Sequence, residues 1–270
     1  SARLMADMLE FAEDLAHRAG VLIAAAREDQ SLDLSYKDGN ELLTSADLQA
    51  DELIRREIEK AFPAHNILSE ESSPDLSDPE ALNGPLWIVD PIDGTVNYAY
   101  NMHQVAVSIA YAEGGRVQAG VVRCPFFDET FTARRGEGAR LNNQPIRVSA
   151  CDQLARALIG TGFPYDASAR VALLERLRLI LGHCRDIRRV GSAASDLCWV
   201  AMGRLDGFCE AIKPWDLAAA AFIAREAGAR VGHLAPVEGD MPEELYGKDL
   251  VVTAPGIYEE LFALLQPTAS

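Results

Sequence analysis

Acidic residues stand at the ends of predicted strands or the starts of predicted helices at three places in the chain: Glu70 with Glu71, Asp90 with Asp93, and Asp216. A carboxylate that directly follows a buried strand is costly to desolvate unless it is paired or bound to a cation. For any single one of these acids, an N-cap or a solvated turn is the more common role. For Asp90 and Asp93, the neighbouring residues favour a binding site instead.

The segment from Asp90 to Thr95 (DPIDGT) combines two acids with a proline, a glycine and a hydroxyl. Its two acids, three positions apart, can converge on one point, and Gly94 lets the backbone approach a ligand closely. The Thr95 hydroxyl and backbone N–H groups at a nearby helix start would bind a phosphate. Acids alone would repel a phosphate, so divalent cations must lie between them. Oxygen ligands without His or Cys favour Mg²⁺ over zinc.

The overall charge argues against two classes of partner. The 270 residues include 25 Lys and Arg against 41 Asp and Glu, a net charge of −16. Such a surplus repels phosphate backbones and anionic lipid, so neither nucleic acid nor a membrane surface is an expected partner. No apolar stretch approaches the length of a membrane span. The 49% hydrophobic share is enough to bury a sizeable core.

The cysteines and the N-terminus predict a cytoplasmic protein. Five cysteines, an odd number without any C-x-x-C pair, are typical of free thiols in a reducing compartment: Cys124, Cys151, Cys184, Cys198 and Cys209. The first residues show no basic-then-apolar signal segment.

Periodicity in the first half predicts two helices and then an antiparallel sheet. Apolar residues recur at helical spacing over 3–27, and a second helix begins near Thr44 or Ser45 and stops at 62–63. Short strands are predicted over 66–69 and 86–89, the latter ending at Asp90. The runs 105–112 and 116–123 flank Glu-Gly-Gly, a hairpin signal, and 129–133 continues the sheet.

The second half alternates helices with strands, which predicts α+β layers around mixed sheets and excludes a purely parallel doubly wound fold. The predicted helices cover 170–182, 192–202, 216–227 and 255–265. The predicted strands cover 185–189, 206–210 and 250–253.

Residues 87–97 (WIVDPIDGTVN) resemble the signature of the inositol monophosphatase family, part of the lithium-sensitive, magnesium-dependent phosphatase superfamily. Other positions similar to the family stand in the same order along the chain. Lys37, Asp47 and Glu70 precede the signature, and 136–139 with Asn142, 190–194 and 214–219 follow it. The resemblance implies a layered α-β-α-β-α fold with mixed and antiparallel sheets. It also implies a single catalytic domain over 1–270, with an N-terminal lobe of about 1–145 and a C-terminal lobe of about 146–270.

The resemblance implies two or three Mg²⁺ ions. Glu70, Asp90 and the backbone carbonyl of Ile92 resemble the ligands of the first metal. Asp90, Asp93 and Asp216 resemble those of the second, with Asp90 bridging. A third, weaker ion would use Glu70 and waters.

The remaining roles divide between water activation and substrate binding. Asp47 and Thr95 resemble a hydrogen-bonded pair that helps to activate the attacking water, a step in which Glu70 also takes part. The residues that resemble the phosphate cradle are Asp93, Gly94 and Thr95, and those that resemble the surface holding the alcohol are Gly191, Ser192, Ala193 and Glu210. Glu210 lies six residues before Asp216, where the family has seven, and we expect it still to reach the substrate.

Hydrolysis of a phosphate monoester by metal-activated water needs no covalent nucleophile. Accordingly, the five Cys and five His lie outside all the segments above. The expected activity is Mg²⁺-dependent, lithium-sensitive hydrolysis of myo-inositol monophosphate. Histidinol phosphate, fructose 1,6-bisphosphate and 3′-phosphoadenosine 5′-phosphate are alternative substrates for the same chemistry.

Two expectations concern partners. The family usually forms homodimers, and some bacterial members act through the transcription machinery, which gives a regulatory binding role as an alternative function. The retained acids argue against a purely non-catalytic protein.

Five further residues lie near these motifs, and most of them have two interpretations. Alternation along the chain predicts that Glu71 points away from Glu70 and has a structural role. Lys37 either contacts the phosphate or a metal-bound water, or is an exposed loop residue. Arg189, with Arg188, either contacts substrate or a second subunit, or ends a strand in solvent. Phe163 either forms a wall of the pocket or belongs to the core.

Overall fold

A computed structural model describes residues 2–29, 33–37, 41–73, 75, 78–164 and 169–266. Its helices are α1 (Ala2–Glu28), α2 (Ser45–Ala61), α3 (Pro79–Asn83), α4 (Thr95–Ala99), α5 (Ala169–His183), α6 (Ala193–Ala201), α7 (Pro214–Glu226) and α8 (Pro255–Leu265). Its strands are β1 (Leu34–Lys37), β2 (Glu41–Thr44), β3 (Asn66–Ser69), β4 (Leu86–Asp93), β5 (Ala106–Glu113), β6 (Arg116–Cys124), β7 (Glu129–Arg134), β8 (Ala139–Leu141), β9 (Gln144–Ile146), β10 (Leu158–Thr161), β11 (Asp186–Arg188), β12 (Gly207–Glu210), β13 (Arg230–His233) and β14 (Leu250–Thr253).

Two large sheets organise the described chain. The first has seven strands in the order β3-β4-β5-β6-β7-β8-β9, in which β3 and β4 are parallel and every other pair is antiparallel. The second has five strands in the order β11-β10-β12-β14-β13, with β10 parallel to both β11 and β12. The mixture confirms the predicted α+β class. The proposed lobe boundary near residue 145 falls within β9, the last strand of the first sheet, and the second sheet begins with β10.

The helices lie in three layers around the two sheets. Helices α1 and α2 pack on one face of the seven-stranded sheet, and α6 and α7 fill the space between the sheets. Helix α8 packs on β14, and α5 lies against α8 and β11. The alanines of α7 let this helix approach the sheet closely, which makes the middle layer thin. A Cβ at Gly120 of β6 would lie only 3.1 Å from the Cα of Ala219 in α7, so a larger residue would require a shift.

The structure corrects the predicted end of β4. This strand continues past Val89 to Asp93, through Pro91. Its pairing with β5 is interrupted between Asp90 and Asp93, so Pro91 has no ladder position to fill and its missing N–H costs no hydrogen bond. The strand therefore carries both acids, instead of ending before them.

Several short elements were missing from the prediction: β1, β2, β8, β9, β10, β13, α3 and α4. Strand β1 is largely exposed, so it has no apolar alternation to detect. None of the described helices is long and apolar enough to cross a membrane. All five cysteines lie in the described ranges and are free thiols, as expected.

Candidate metal and phosphate site

Asp47 is fixed at the start of α2 by a capping box. Thr44 is the N-cap, and its backbone N–H donates to Asp47 Oδ2 at 2.8 Å. The other carboxylate oxygen of Asp47 accepts a hydrogen bond from Thr95 Oγ1 at 2.9 Å. Burial raises the pKa of Asp47, and the hydrogen bonds from Thr44 and Thr95 oppose that rise. The sequence-distant pair Asp47 and Thr95 is therefore joined directly.

Asp93 ends β4 and is held by the start of α6. Its Oδ2 accepts hydrogen bonds from the Ser192 hydroxyl and, at 2.8 Å, from the backbone N–H of Ala194. Burial raises the pKa of Asp93 to about 6, although both hydrogen bonds lower it. Ser192 is also the N-cap of α6, so its hydroxyl stabilises the start of this helix as well as lining the site.

Gly94 follows in a left-handed conformation, with φ of 94°. A Cβ at this position would lie 2.8 Å from the carbonyl oxygen of Gln104, so only glycine fits. The residue turns the chain from β4 into α4 and places Thr95 beside Asp47. Thr95 Oγ1 also lies 3.3 Å from the carbonyl oxygen of Ile92.

Asp216 reaches the same place from the second half of the chain. It lies in the first turn of α7, and its Oδ2 accepts a hydrogen bond from the backbone N–H of Lys213 at 2.9 Å. Because α7 packs on β4, β5 and β6, this helix start comes to the end of β4.

Asp90, Asp93 and Asp216 each place a carboxylate oxygen within 4.8 Å of the others. Asp90 is almost fully buried, and its Oδ1 has no hydrogen-bond partner among the described residues. Burial and then the charge of Glu70 raise the pKa of Asp90 well above its ordinary range. Two buried acids and a half-buried one, with an unpartnered oxygen on Asp90, are unfavourable alone and fit divalent cations bound by oxygen ligands.

Glu70 lies beside this group and is paired with Lys37. Burial raises its pKa to about 7, and the contact with Asp90 and the charge of Lys37 oppose the rise. Lys37 Nζ lies 3.2 Å from Glu70 Oε1 and 2.9 Å from Glu71 Oε1. Both carboxylates thus face one ammonium group, and the expectation that Glu71 points away from Glu70 is wrong. Strand alternation ends at Ser69, so it does not apply to these residues.

Most of these residues line one cavity of about 720 Å³. Its lining includes Glu70, Asp90, Asp93 and Asp216 with Ile92, Gly94 and Thr95, and also Gly191, Ser192, Ala193 and Glu210; Asp47 lies behind Thr95 and is not among the lining residues. Phe163 also lines the cavity, and the Arg189 guanidinium lies 5.2 Å from its ring centroid. Arg188 instead pairs with Asp186 at 2.8 Å on the surface.

Glu210 reaches this cavity despite the shorter segment before Asp216. Burial and then the charge of Asp93 raise its pKa to about 7, and Arg189 lowers it. Two lining residues, Gly162 and Asp196, were not identified from the sequence. The available signal was a pair of glycines two positions apart, Gly160 and Gly162. Strand β10, which contains Gly160 and ends just before Gly162, was itself missing from the prediction.

The comparison with known families agrees with this geometry. The family model described as "Inositol monophosphatase family" matches residues 4–268. The chain belongs to the inositol monophosphatase family. Members of this family are metal-dependent phosphatases that generally use Mg²⁺.

The relatives include proteins with a second kind of name. The chain is 37% identical to "Nus factor SuhB" of Pasteurella multocida, over 98% of each protein, and 39% identical to that of Escherichia coli K12, over 84% and 85%. Among solved structures, a SuhB protein of Bartonella henselae gives a TM-score of 0.84 at 34% identity, covering 96% of this chain and 98% of that one. The Thermotoga maritima IMPase gives 0.82 at 32% identity, covering 96% of both. These neighbours confirm the inositol monophosphatase fold.

Proposed function

We propose that this protein hydrolyses myo-inositol monophosphate to inositol and phosphate with Mg²⁺. The observation that carries the proposal is the unpartnered, buried Oδ1 of Asp90 beside Asp93 and Asp216. It lies in the cavity that also contains Thr95 and Glu210. Acids that can bind cations and a further carboxylate, Glu210, in the same cavity suit a phosphate ester of a polyhydroxy alcohol.

Two or three Mg²⁺ ions would be held by residues of this cavity: Glu70, Asp90 and the Ile92 carbonyl for the first, and Asp90, Asp93 and Asp216 for the second. When bound, Mg²⁺ offsets the charge of the phosphate dianion, favours deprotonation of water and stabilises the leaving alkoxide. The carboxylates supply the matching negative charge in fixed positions, since Asp93 and Asp216 are each held by a backbone N–H.

Thr95 and Asp47 orient the nucleophile in this proposal. Because the Thr95 hydroxyl donates a hydrogen bond to Asp47, Oγ1 can accept a proton from water while its own proton passes to the Asp47 carboxylate. Burial keeps Asp47 from rotating into solvent. The backbone N–H groups of Gly94 and Thr95 would bind a phosphate oxygen.

Glu210 would accept hydrogen bonds from hydroxyls of the leaving alcohol, beside Gly191, Ser192 and Ala193. A site that pairs a hydroxyl rejects analogues without it far better than an apolar pocket does. Myo-inositol monophosphate offers such hydroxyls around its ring; histidinol phosphate, fructose 1,6-bisphosphate and 3′-phosphoadenosine 5′-phosphate are the alternatives that the assay separates from it.

The test is phosphate release by the purified protein from these four substrates and an aryl phosphate, with Mg²⁺. The highest kcat/KM is expected for myo-inositol monophosphate. Li⁺ should inhibit, because a small monovalent ion in the second metal position supplies less charge to the leaving group. A higher kcat/KM for any other of the four would replace the proposed substrate.

A second candidate function is a regulatory role with the transcription machinery. Its support is the name "Nus factor SuhB" carried by relatives 37–39% identical to this chain. The test is co-elution of the purified protein with a reconstituted transcription elongation complex. Co-elution of an Asp93→Asn variant as well would separate this role from catalysis.

We also propose that the protein forms a homodimer, on the family resemblance alone. Light scattering after size-exclusion chromatography would give twice the mass of one chain. A monomeric mass at micromolar concentration would contradict the proposal.

A further inference from the structure

Two carboxyl groups lie against glycines on the same face of the β10 segment. A Cβ at Gly162 would overlap the carboxylate of Glu210, and a Cβ at Gly160 would lie 2.9 Å from Asp196 Oδ1. Residues two apart in an extended segment point to the same side. Each missing side chain is therefore the space that one carboxyl group fills.

Glu210 depends on this arrangement because of its place in the sheet. It is the last residue of β12, which pairs in parallel with β10 through Thr161 and Cys209. From there its side chain passes over Gly162 toward the cavity. The atoms that a methyl group at position 162 would displace are the flexible end of a side chain and not backbone. An alanine there would move the carboxylate without breaking the strand.

Asp196 fills the neighbouring space over Gly160, two residues before Gly162. It is 1% exposed, it lies in the first turns of α6, and its Oδ1 has no hydrogen-bond partner in the ranges that the structure describes. Burial and then the charge of Glu210 raise its pKa well above the ordinary range, while Arg189 lowers it. Asp196 therefore fills the space over Gly160, beside the Glu210 carboxylate over Gly162.

We infer that Gly162 determines the substrate specificity of this phosphatase by giving the Glu210 carboxylate room in the cavity, and that Asp196 is a positioning residue that keeps it there. The inference rests on the proposed function and names what selects its alcohol. The Glu210 carboxylate lies over Gly162, Asp196 fills the neighbouring space over Gly160, and both acids line the cavity. The carboxylate therefore faces the cavity, where it can accept hydrogen bonds from a polyhydroxy leaving group.

The first test compares Gly162→Ala, Glu210→Gln and the double variant on myo-inositol monophosphate and on 4-nitrophenyl phosphate. Loss of hydrogen bonds to a charged group predicts a KM for inositol phosphate about 10-fold higher in each single variant. The kcat/KM for the aryl phosphate should fall much less, because its leaving group has no hydroxyl. The double variant should be no worse than either single one, since both remove the same contact.

The control is Gly182→Ala in α5, where a Cβ would meet no atom within 4 Å. It should retain wild-type kinetics. An unchanged KM in Gly162→Ala, equal losses on both substrates, or multiplying losses in the double variant would each overturn the inference for Gly162.

The second test concerns Asp196. Asp196→Asn keeps the shape of the neutral acid and should stay within about 3-fold of the wild-type KM, whereas Asp196→Ala should raise KM about as much as Gly162→Ala does. Equal effects of the two variants would overturn the positioning role. Melting temperatures identify any variant that is simply unfolded, and Asp196→Asn then still gives the decisive comparison.

Failure of the proposed function is distinguishable from failure of this inference. If the wild-type protein does not hydrolyse inositol phosphate, the proposed substrate is wrong whatever the variants do. A crystal structure of Gly162→Ala then tests the inference directly. A Glu210 carboxylate displaced from the cavity supports it, and one in its original place overturns it.

Discussion

Two parts of the cavity are built in different ways: the metal end, formed by Asp90, Asp93 and Asp216, and the alcohol end, formed by Glu210. At the metal end, Asp93 and Asp216 are each held by a backbone N–H, and Asp47 is held by a capping box. At the alcohol end, Glu210 is positioned by the space over Gly162. Hydrogen bonds to backbone fix an atom within a few tenths of an ångström, whereas space defines only a region. The acids proposed to bind metal are therefore held by directional contacts, whereas the room that Glu210 occupies is sensitive to a single added methyl group.

Removal of metal should have the largest effect and should not distinguish the two ends. Because only oxygen ligands line the metal end, chelation with EDTA should lower kcat on inositol and aryl phosphates alike, by about 1,000-fold or more. Mg²⁺ should restore both activities. Steady-state phosphate release measures this, and full activity in a rigorously metal-stripped sample would contradict the assignment.

Asp93→Asn should have the next largest effect, because it removes one charge from the metal end and keeps the shape. We expect kcat to fall on the order of 100-fold or more on both substrates, by analogy with removal of one oxyanion-hole donor. Asp152→Asn, on the exposed surface, is the matched control. Glu71→Gln should cost only a few-fold, since Glu71 contacts Lys37 and not the three aspartates. If Asp93→Asn and Glu71→Gln behaved alike, the division of roles among these acids would be wrong.

Thr95→Val should lower kcat by about 10- to 100-fold, because it removes the hydroxyl that accepts a proton from water in the proposed mechanism. Thr95→Ser keeps the hydroxyl and should recover most of the activity. The ratio of inositol to aryl phosphate hydrolysis should stay constant in both variants, in contrast to Gly162→Ala. A change in that ratio would show that the two ends are not independent.

The smallest expected effect is on stability as a function of pH in metal-free protein. The pKa of Glu70 is raised to about 7 and that of Asp93 to about 6, above their unfolded values. The folded state therefore binds more protons than the unfolded state between about pH 4 and 7, so stability falls as pH rises through this window. Each 1 kcal/mol lost lowers Tm by roughly 2–4 °C.

Calorimetry at pH 5 and pH 8 measures this effect. Metal-free protein should melt several degrees lower at pH 8, and Mg²⁺ should raise Tm more at pH 8 than at pH 5, because it binds the ionised acids. Asp93→Asn should reduce the difference. A metal-free Tm that increases with pH would contradict the raised pKa values.

The sequence predicted elements well where apolar runs have clear boundaries. Strands β3 and β14 and helix α8 have the predicted bounds, since Pro, Gly or acidic residues flank each run. The continuation of β4 through Pro91 was not predictable, because the gap in pairing that accommodates the proline belongs to β5. Strand β10 was missed because it is short and contains Gly160, with Gly162 just beyond its end, and the role of these glycines depends on what packs over them.

The sequence by itself determined the chemistry of the metal end. Its acids lie in local motifs whose turns and caps are encoded within a few residues, so their types and order were enough to predict oxygen ligands and a divalent cation. Tertiary structure alone decided how Glu210 is positioned at the alcohol end and that Lys37 pairs with Glu71. Glu210 meets Gly162 across two strands, and Lys37 meets Glu71 across 34 positions. Such contacts depend on the distance between packed elements, which no local pattern of residues specifies.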